Sequence, residues 1–149
     1  MPQPAQPDAT PTPISAPALG KVLLIDDGDA VRDVIRTFLE NRGIQICGEA
    51  ADGVEAIEKA KALRPDLIII DLAMPRMNGM EAASILSRIM PRVPIVLLTI
   101  YGDFMGASLA AATGIKAVIS KTDSLDKLAN CVQSLLQKPH QFPAIGAQP

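Results

Sequence analysis

The sequence predicts an α/β fold of the doubly wound class, a five-stranded parallel sheet with helices on both faces. Five short apolar runs alternate with segments in which apolar residues recur at helical spacing. Runs rich in isoleucine, valine and leucine are typical of strands buried on both faces. Parallel strands need crossover connections, which the intervening helices would supply. At 149 residues the chain can form one domain with a sizeable core.

Each predicted element has a local signal in the sequence. The predicted strands are 22–25, 44–47, 67–70, 95–98 and 117–119. The first helix places apolar residues on one face and ends at Gly43; these residues are Val31, Val34, Ile35, Phe38 and Leu39. The second helix, 53–63, stops before Pro65, and the third, from Met80 to Met90, stops at Pro91.

The last two predicted helices differ in strength. Residues 102–113, ending at Gly114, form a weaker, alanine-rich fourth pattern. The fifth is clear: its apolar positions are Leu125, Leu128, Val132, Leu135 and Leu136. Asp123 or Ser124 is the expected cap at its start.

The two ends of the chain differ from the centre in composition. Residues 1–20 contain six prolines and one charged residue, Asp8, which predicts a disordered or polyproline-like tail. A passive tail is favoured over a segment that recruits a proline-reading partner. Residues 138–149 also lack periodicity and are expected to be a flexible tail. The folded domain is therefore predicted at 21–137.

Composition narrows the possible functions. No apolar run is long enough to span a membrane, and the first residues lack the pattern of a secretion signal. A formal charge of −2 offers no basic surface for nucleic acid. Cys47 and Cys131 lie within apolar stretches, which favours reduced thiols. The expectation is a cytoplasmic protein that binds neither membrane nor nucleic acid.

Chemically active residues follow four of the five predicted strands. Asp26 and Asp27 follow the first strand, Asp71 the third, Thr99 the fourth and Lys121 the fifth. In doubly wound folds the ligand site lies beyond the carboxyl ends of the strands. Three carboxylates brought together repel one another, and a hard divalent cation such as Mg²⁺ removes that conflict. With Thr99 and Lys121 the set would cradle a phosphoryl group, and Asp71 would be the nucleophile.

Taken singly, each of these residues has a simpler interpretation. An isolated aspartate after a strand is usually a helix cap or turn residue, and Asp29 is interpreted in this way. Asp52 is interpreted as a loop acid. A threonine ending a strand is usually structural, and a lysine is usually a solvated surface charge. The occurrence of these residues together at four strand ends is what indicates a phosphoryl-binding site.

Four segments of the sequence resemble motifs of a known family. The segments "VLLIDDGDAV", "LIIIDLAMPRMNG", "PIVLLT" and "AVISKTDSL" are similar to the receiver domain of two-component response regulators. The resemblance covers roughly residues 20–137. It implies a (βα)5 flavodoxin-like fold and a phosphorylation-dependent signalling switch rather than an enzyme. It also implies that Asp71 accepts a phosphoryl group from a histidine kinase or phosphotransfer protein.

The same resemblance implies a role for each site residue. Asp27 would ligate Mg²⁺ directly and Asp26 largely through water, while Asp71 and the backbone carbonyl of Ala73 complete the protein ligands. The phosphoryl oxygens would be bound by Thr99 and Lys121.

Four positions depart from the family pattern or tune it. Val118 stands where an aromatic switch residue is usual, and Ile100 stands where a small residue is usual. Ala73 and Tyr101 occupy the two variable positions that flank the phosphoryl group in the family. Ala73 cannot orient a water and Tyr101 could shield the group, so we expect a relatively long-lived phosphoryl state.

The continuation "SKTDSLDKLANCVQSLL" is more like receivers joined to a helix-turn-helix output domain. About a dozen residues follow the fifth helix, so a stand-alone receiver is favoured over a fragment. The downstream partner, the kinase and the oligomeric state are not identified by the sequence.

Three other functions remain as alternatives. One is a receiver-like binding module that works without phosphorylation. Another is a haloacid-dehalogenase-type phosphatase, whose D-x-D-x-[TV] pattern is met by Asp27, Asp29 and Val31. This pattern leaves Asp71 without a role, and no final acidic pair or cap insert is present. A flavodoxin-like cofactor binder lacks the expected phosphate loop after the first strand.

Overall fold

The computed structural model describes residues 20–100 and 114–137, which form a parallel sheet with helices on both faces. The elements in chain order are β1 (Lys21–Ile25), α1 (Asp29–Glu40), β2 (Gln45–Ala50), α2 (Gly53–Leu63), β3 (Leu67–Asp71), α3 (Gly79–Ile89), β4 (Ile95–Thr99), β5 (Ala117–Ser120) and α4 (Leu125–Gln137). The five strands lie in the order β2-β1-β3-β4-β5. The predicted fold class is confirmed. The order reverses direction between β1 and β3, so the loops that follow these strands flank a crevice.

The sheet separates two apolar cores because successive side chains of a strand point to opposite faces. One core lies under α1 and α4 and includes Leu24, Leu39, Leu67, Ile69, Leu128 and Val132. The other lies under α2 and α3 and includes Leu23, Ile25, Ala56, Ala60, Ile68, Ile70, Ala83 and Leu86. All five residues of β3 and all five of β4 are buried, as the continuous apolar runs predicted.

The predicted boundaries of four of the five strands agree with the structure to within one residue. The exception is the second strand, which was predicted at 44–47 but runs from Gln45 to Ala50. Its extension carries Glu49, whose carboxylate accepts hydrogen bonds from Arg32 at 3.0 Å and Arg36 at 2.6 Å. These arginines belong to α1, so local sequence around the strand does not reveal the pairing.

Ser124, rather than Asp123, caps the start of α4. Its hydroxyl oxygen accepts a hydrogen bond from the backbone N–H of Lys127 at 3.2 Å. Asp123 instead accepts from the backbone N–H of Ser120 at 3.1 Å and pairs with the Lys127 ammonium. It therefore closes the turn that carries Lys121.

Some predictions fall on other parts of the chain. The helix predicted at 102–113 and the two predicted tails lie outside the described residues, apart from Gly20. Among residues 20–100 and 114–137, no helix has the length and apolar character needed to cross a membrane.

Gly79 allows α3 to begin directly against the end of β3. A Cβ atom at this position would lie 2.2 Å from the carbonyl oxygen of Asp71 and 2.8 Å from the Cα of Leu72. Both atoms belong to the backbone, so a side chain cannot be accommodated by a rotamer change. The absence of a side chain at Gly79 therefore fixes how closely α3 approaches the residue that ends β3.

We expect Gly79→Ala to lower the free energy of unfolding by about 1–3 kcal/mol, the usual range for overpacking, because the backbone must shift. Urea unfolding monitored by circular dichroism measures the change. The matched control is Gly28→Ala, where the nearest atom to the new Cβ is a side-chain oxygen at 3.3 Å. Equal losses for the two variants would contradict the role given to Gly79.

Candidate functional site

The structure brings the predicted acidic residues together at one edge of the sheet. Asp26 and Asp27 follow β1, and Asp71 ends the neighbouring β3. Each offers a carboxylate oxygen, and these three oxygens all lie within 4.8 Å of one another. Asp26 and Asp71 are almost fully buried, whereas Asp27 is exposed. The cluster therefore has one face open to solvent.

Lys121 reaches this cluster from the turn after β5. Its ammonium nitrogen lies 2.8 Å from Oδ2 of Asp26 and 3.2 Å from Oδ2 of Asp71. The backbone N–H of Lys121 donates to the carbonyl oxygen of Thr99 at 2.9 Å, which fixes the start of this turn against β4. Burial lowers the pKa of Lys121, but Asp26 and Asp71 together raise it above its usual value. The side chain is therefore held as a cation between the two acids.

Asp26 uses its two oxygens differently. Oδ1 accepts a hydrogen bond from the backbone N–H of Gly28 at 2.8 Å. Oδ2 is buried and accepts no well-aligned hydrogen bond from the described residues, although Lys121 lies 2.8 Å away. A buried carboxylate oxygen without an aligned donor has capacity to interact with a further cation.

The pKa of Asp71 is raised above its usual value. Burial is the main cause, and the neighbouring charge of Asp26 adds to it. Lys121 opposes the shift, as does a hydrogen bond from the backbone N–H of Ala73. The ionised form of Asp71 is therefore destabilised in the protein without a cation, and a bound divalent cation would stabilise it.

Thr99 and the predicted tuning residues have different surroundings. Thr99 ends β4, the strand next to β3 in the sheet, and is buried. Ile100 follows it and is 59% exposed, while Ala73 is exposed two residues after Asp71. Val118 is half-buried in β5 and packs against the core under α2 and α3. Tyr101 lies outside the described residues.

The interactions of two arginines near the site, Arg32 and Arg76, were not predicted from the sequence. Arg32 donates to the backbone carbonyl of Asp26 and pairs with Asp29 and Glu49. Asp52, interpreted as a loop acid, is the N-cap of α2 and pairs with Arg76. The spacing S/T/D/N-x-x-E, met by Asp52 and Glu55, indicated the cap, but no local signal indicates the pairing across 24 residues.

An apolar groove of about 380 Å³ lies next to the cluster, between α1 and the start of α4. Its lining includes Val31 and Val34 of α1, Leu125 of α4 and, at one end, Lys121. The acidic cluster is thus flanked by a concave apolar surface on the α1 side.

We expect Asp71→Asn to raise the free energy of unfolding at neutral pH without divalent cations. A raised folded-state pKa means that the contribution of Asp71 to stability is complete below its unfolded pKa and is lost as the pH rises through its folded pKa. The asparagine does not ionise and avoids this loss. Thermal unfolding followed from about pH 3 to pH 7 should show a gain that shrinks toward the acid end.

Asp33→Asn is the control for this measurement, because Asp33 lies on α1 with a side chain that is 65% exposed. A pH-independent effect of Asp71→Asn, or the same effect from both variants, would refute the electrostatic account.

Comparison with known proteins identifies the family. The family model described as response regulator receiver domain matches residues 22–133. Response regulator protein VraR of Staphylococcus saprophyticus is 35% identical over 125 residues, which cover 83% of this chain and 60% of the relative. VraR of Staphylococcus aureus is 37% identical over 114 residues, covering 76% of this chain and 54% of the relative. The chain therefore spans little more than half the length of these curated relatives.

Solved structures show the same architecture. The receiver domain of the Francisella response regulator 1452 has a TM-score of 0.73 at 28% identity, covering 79% of this chain and 97% of that one. A chain of the CheX-CheY-BeF3-Mg+2 complex from Borrelia burgdorferi has a TM-score of 0.74 at 25% identity, covering 79% and 90%. Together with the match that extends over most of its length, this fold shows that the chain belongs to the response regulator receiver domain family of two-component signalling.

Proposed function

We propose that Asp71 accepts a phosphoryl group from a histidine kinase or phosphotransfer protein in the cytoplasm. The reaction depends on Mg²⁺, and the modified domain changes the conformation of its output face. One observation carries the proposal: three carboxylate oxygens lie within 4.8 Å of one another, and one ammonium group contacts two of these acids. Phosphoryl transfer depends mainly on such positioning and charge stabilisation.

In the proposed transfer, a carboxylate oxygen of Asp71 attacks the phosphorus atom of the donor's phosphohistidine. The phosphorus–nitrogen bond breaks, its electron pair goes to the imidazole, and the imidazole takes a proton from solvent. The Lys121 ammonium, 3.2 Å from Asp71 Oδ2, offsets negative charge on the phosphoryl oxygens. The hydrogen bond from the Ala73 N–H orients the carboxylate, and the Thr99 hydroxyl donates to a phosphoryl oxygen.

The donor set suits Mg²⁺, which prefers carboxylate, carbonyl and water oxygens. Asp26, Asp27 and Asp71 would hold the ion together with the backbone carbonyl of Ala73. The buried Oδ2 of Asp26, which accepts no aligned hydrogen bond among the described residues, supports this assignment. When bound, Mg²⁺ would neutralise charge on the carboxylates and on the transferred group. The Borrelia burgdorferi structure is itself a complex with BeF3 and Mg+2.

The domain acts as a switch and catalyses only its own phosphorylation and dephosphorylation. A phosphoryl group on Asp71 draws Thr99 inward and biases the face that includes β5 and α4, where an unidentified downstream protein binds.

Two observations bear on the alternatives. Asp29, which a haloacid-dehalogenase-type phosphatase would need in its site, has a side chain that is 90% exposed and is paired with Arg32. This weighs against the phosphatase. Val118 and the exposed Ile100 favour a binding module that works without phosphorylation, whereas the complete acidic cluster with Lys121 favours the phosphorylated switch.

The direct test is modification with a small phosphodonor such as acetyl phosphate. We expect Mg²⁺-dependent incorporation of one acid-labile phosphoryl group into the wild type and none into Asp71→Asn, because that variant lacks the nucleophile. Intact mass spectrometry and Phos-tag electrophoresis measure the product. Asp33→Asn, which alters an exposed acid of α1, is expected to be modified like the wild type.

The outcomes separate the three functions. Modification that survives Asp71→Asn would exclude Asp71 as the acceptor. A wild type that neither takes up phosphate nor binds a beryllofluoride analogue would favour the phosphorylation-independent module. Release of phosphate from unrelated esters would favour the phosphatase.

We expect the phosphoryl state to be long-lived, because Ala73 cannot orient an attacking water and because Tyr101 occupies a position that flanks the phosphoryl group in the family, where its ring would shield the group. Tyr101→Ala should therefore shorten the half-life of phosphorylated Asp71 several-fold. Loss of acid-labile phosphate after removal of the donor measures this half-life. Tyr101→Phe, which keeps the ring, should retain a half-life near that of the wild type; an unchanged half-life in Tyr101→Ala would disprove the shielding.

A further inference from the structure

The loop between β3 and α3, residues 72–78, rests on the corner where β2 leads into α2. Arg76 of this loop donates two hydrogen bonds to Oδ2 of Asp52, one of them from Nε at 3.1 Å. The next residue, Met77, packs against Gly53, where an added Cβ would lie 2.8 Å from the Met77 carbonyl oxygen. Arg76 and Met77 of the loop therefore contact Asp52 and Gly53 of the corner.

Arg76 adopts an unusual backbone conformation. Its φ angle is +66°, in the left-handed region that favours glycine and costs other residues stability. Such a conformation persists only where surrounding contacts maintain it. The Arg76 side chain pairs with Asp52, and this contact helps to maintain a conformation that glycine would adopt with less strain.

The same corner also contacts the acidic cluster through a backbone hydrogen bond. The carbonyl oxygen of Ala50, two residues before Asp52, accepts a hydrogen bond from the backbone N–H of Asp26 at 3.0 Å. Asp52 itself is firmly placed, since its Oδ1 accepts from the N–H of Glu55 at 2.9 Å. This hydrogen bond, with Arg76, keeps the pKa of Asp52 below its usual value, so it is a carboxylate at neutral pH.

We propose that Arg76 is a positioning residue, and that its pairing with Asp52 sets the β3–α3 loop in the conformation that binds Mg²⁺ beside Asp71. The inference rests on the proposed function, because the loop carries Ala73, whose carbonyl is the proposed backbone ligand. The corner 50–53 thus aligns two parts of the metal site that lie far apart in sequence.

Arg76→Gly provides a sharp test, because positioning and simple electrostatics predict opposite results. Removing a positive charge near the cluster would, by Coulomb attraction alone, strengthen Mg²⁺ binding. Loss of the positioning contact should instead raise the Mg²⁺ dissociation constant by about 3- to 10-fold. This is at or below the low end of the roughly 10- to 100-fold losses typical of residues that orient metal ligands, since the pair is partly exposed. Isothermal titration calorimetry without a phosphodonor measures the constant.

Two further variants complete the design. Asp52→Asn keeps an oxygen to cap α2 but loses the charged pair, and it should weaken Mg²⁺ binding to a similar extent. The double variant should be no weaker than either single variant, since the two residues act through one contact. Arg64→Gly is the matched control: Arg64 is also an exposed arginine with positive φ, +51°, but it lies at the far end of α2.

A second readout reports on the loop itself. In a ¹⁵N–¹H spectrum of Arg76→Gly, the amide resonances of Ala73 and Met77 should shift or broaden while those of β3 stay in place. Global unfolding should be nearly unchanged, because glycine relieves the strain at this position.

The possible results distinguish a failure of this inference from a failure of the proposed function. If the wild type binds Mg²⁺ and Arg76→Gly binds it equally or more tightly, the positioning role is overturned and the proposed function stays intact. The same loss in Arg64→Gly would also overturn it. A wild type that binds no Mg²⁺ would refute both the inference and the metal dependence of the proposed function.

Discussion

The repulsion among three carboxylates at one sheet edge is the constraint on which the neighbouring structure depends. Two unit charges about 5 Å apart repel by roughly 3 kcal/mol at an effective dielectric constant of about 20. Asp26 and Asp71 experience this repulsion while almost fully buried. Lys121 lies between them and offsets part of it. Burial and the remaining repulsion from Asp26 together raise the pKa of Asp71, and both make the site suited to a divalent cation.

The apolar core makes this concentration of charge possible. A strand that is buried along its whole length, such as β3, cannot slip in register or turn its end toward bulk water without exposing apolar surface. Asp71 is therefore kept at the edge by the burial of the residues before it. Gly79 then lets α3 start against the Asp71 carbonyl, so the chain leaves the site without displacing the acid.

Features with local signals could be predicted from the sequence, and those with distant partners could not. The apolar runs, the helical spacing and the strand-terminal acids predicted the sheet and the cluster of Asp26, Asp27 and Asp71. The extension of β2 was missed because Glu49 pairs with arginines of α1. Arg76 was missed because its partner lies 24 residues away and its left-handed conformation is unusual for arginine.

The absence of an aromatic residue at position 118 constrains how a signal can leave the site. Val118 packs into the core under α2 and α3 and has no ring that could rotate between exposed and buried positions. The backbone offers another route, because Thr99 pairs in register with Ser120 and its carbonyl oxygen accepts from the N–H of Lys121 at 2.9 Å. A movement of Thr99 toward a phosphoryl group would act directly on β5 and on the turn that holds Lys121. For the proposed switch, the strand pairing of β4 and β5 is therefore the route that the described residues offer in place of an aromatic side chain at position 118.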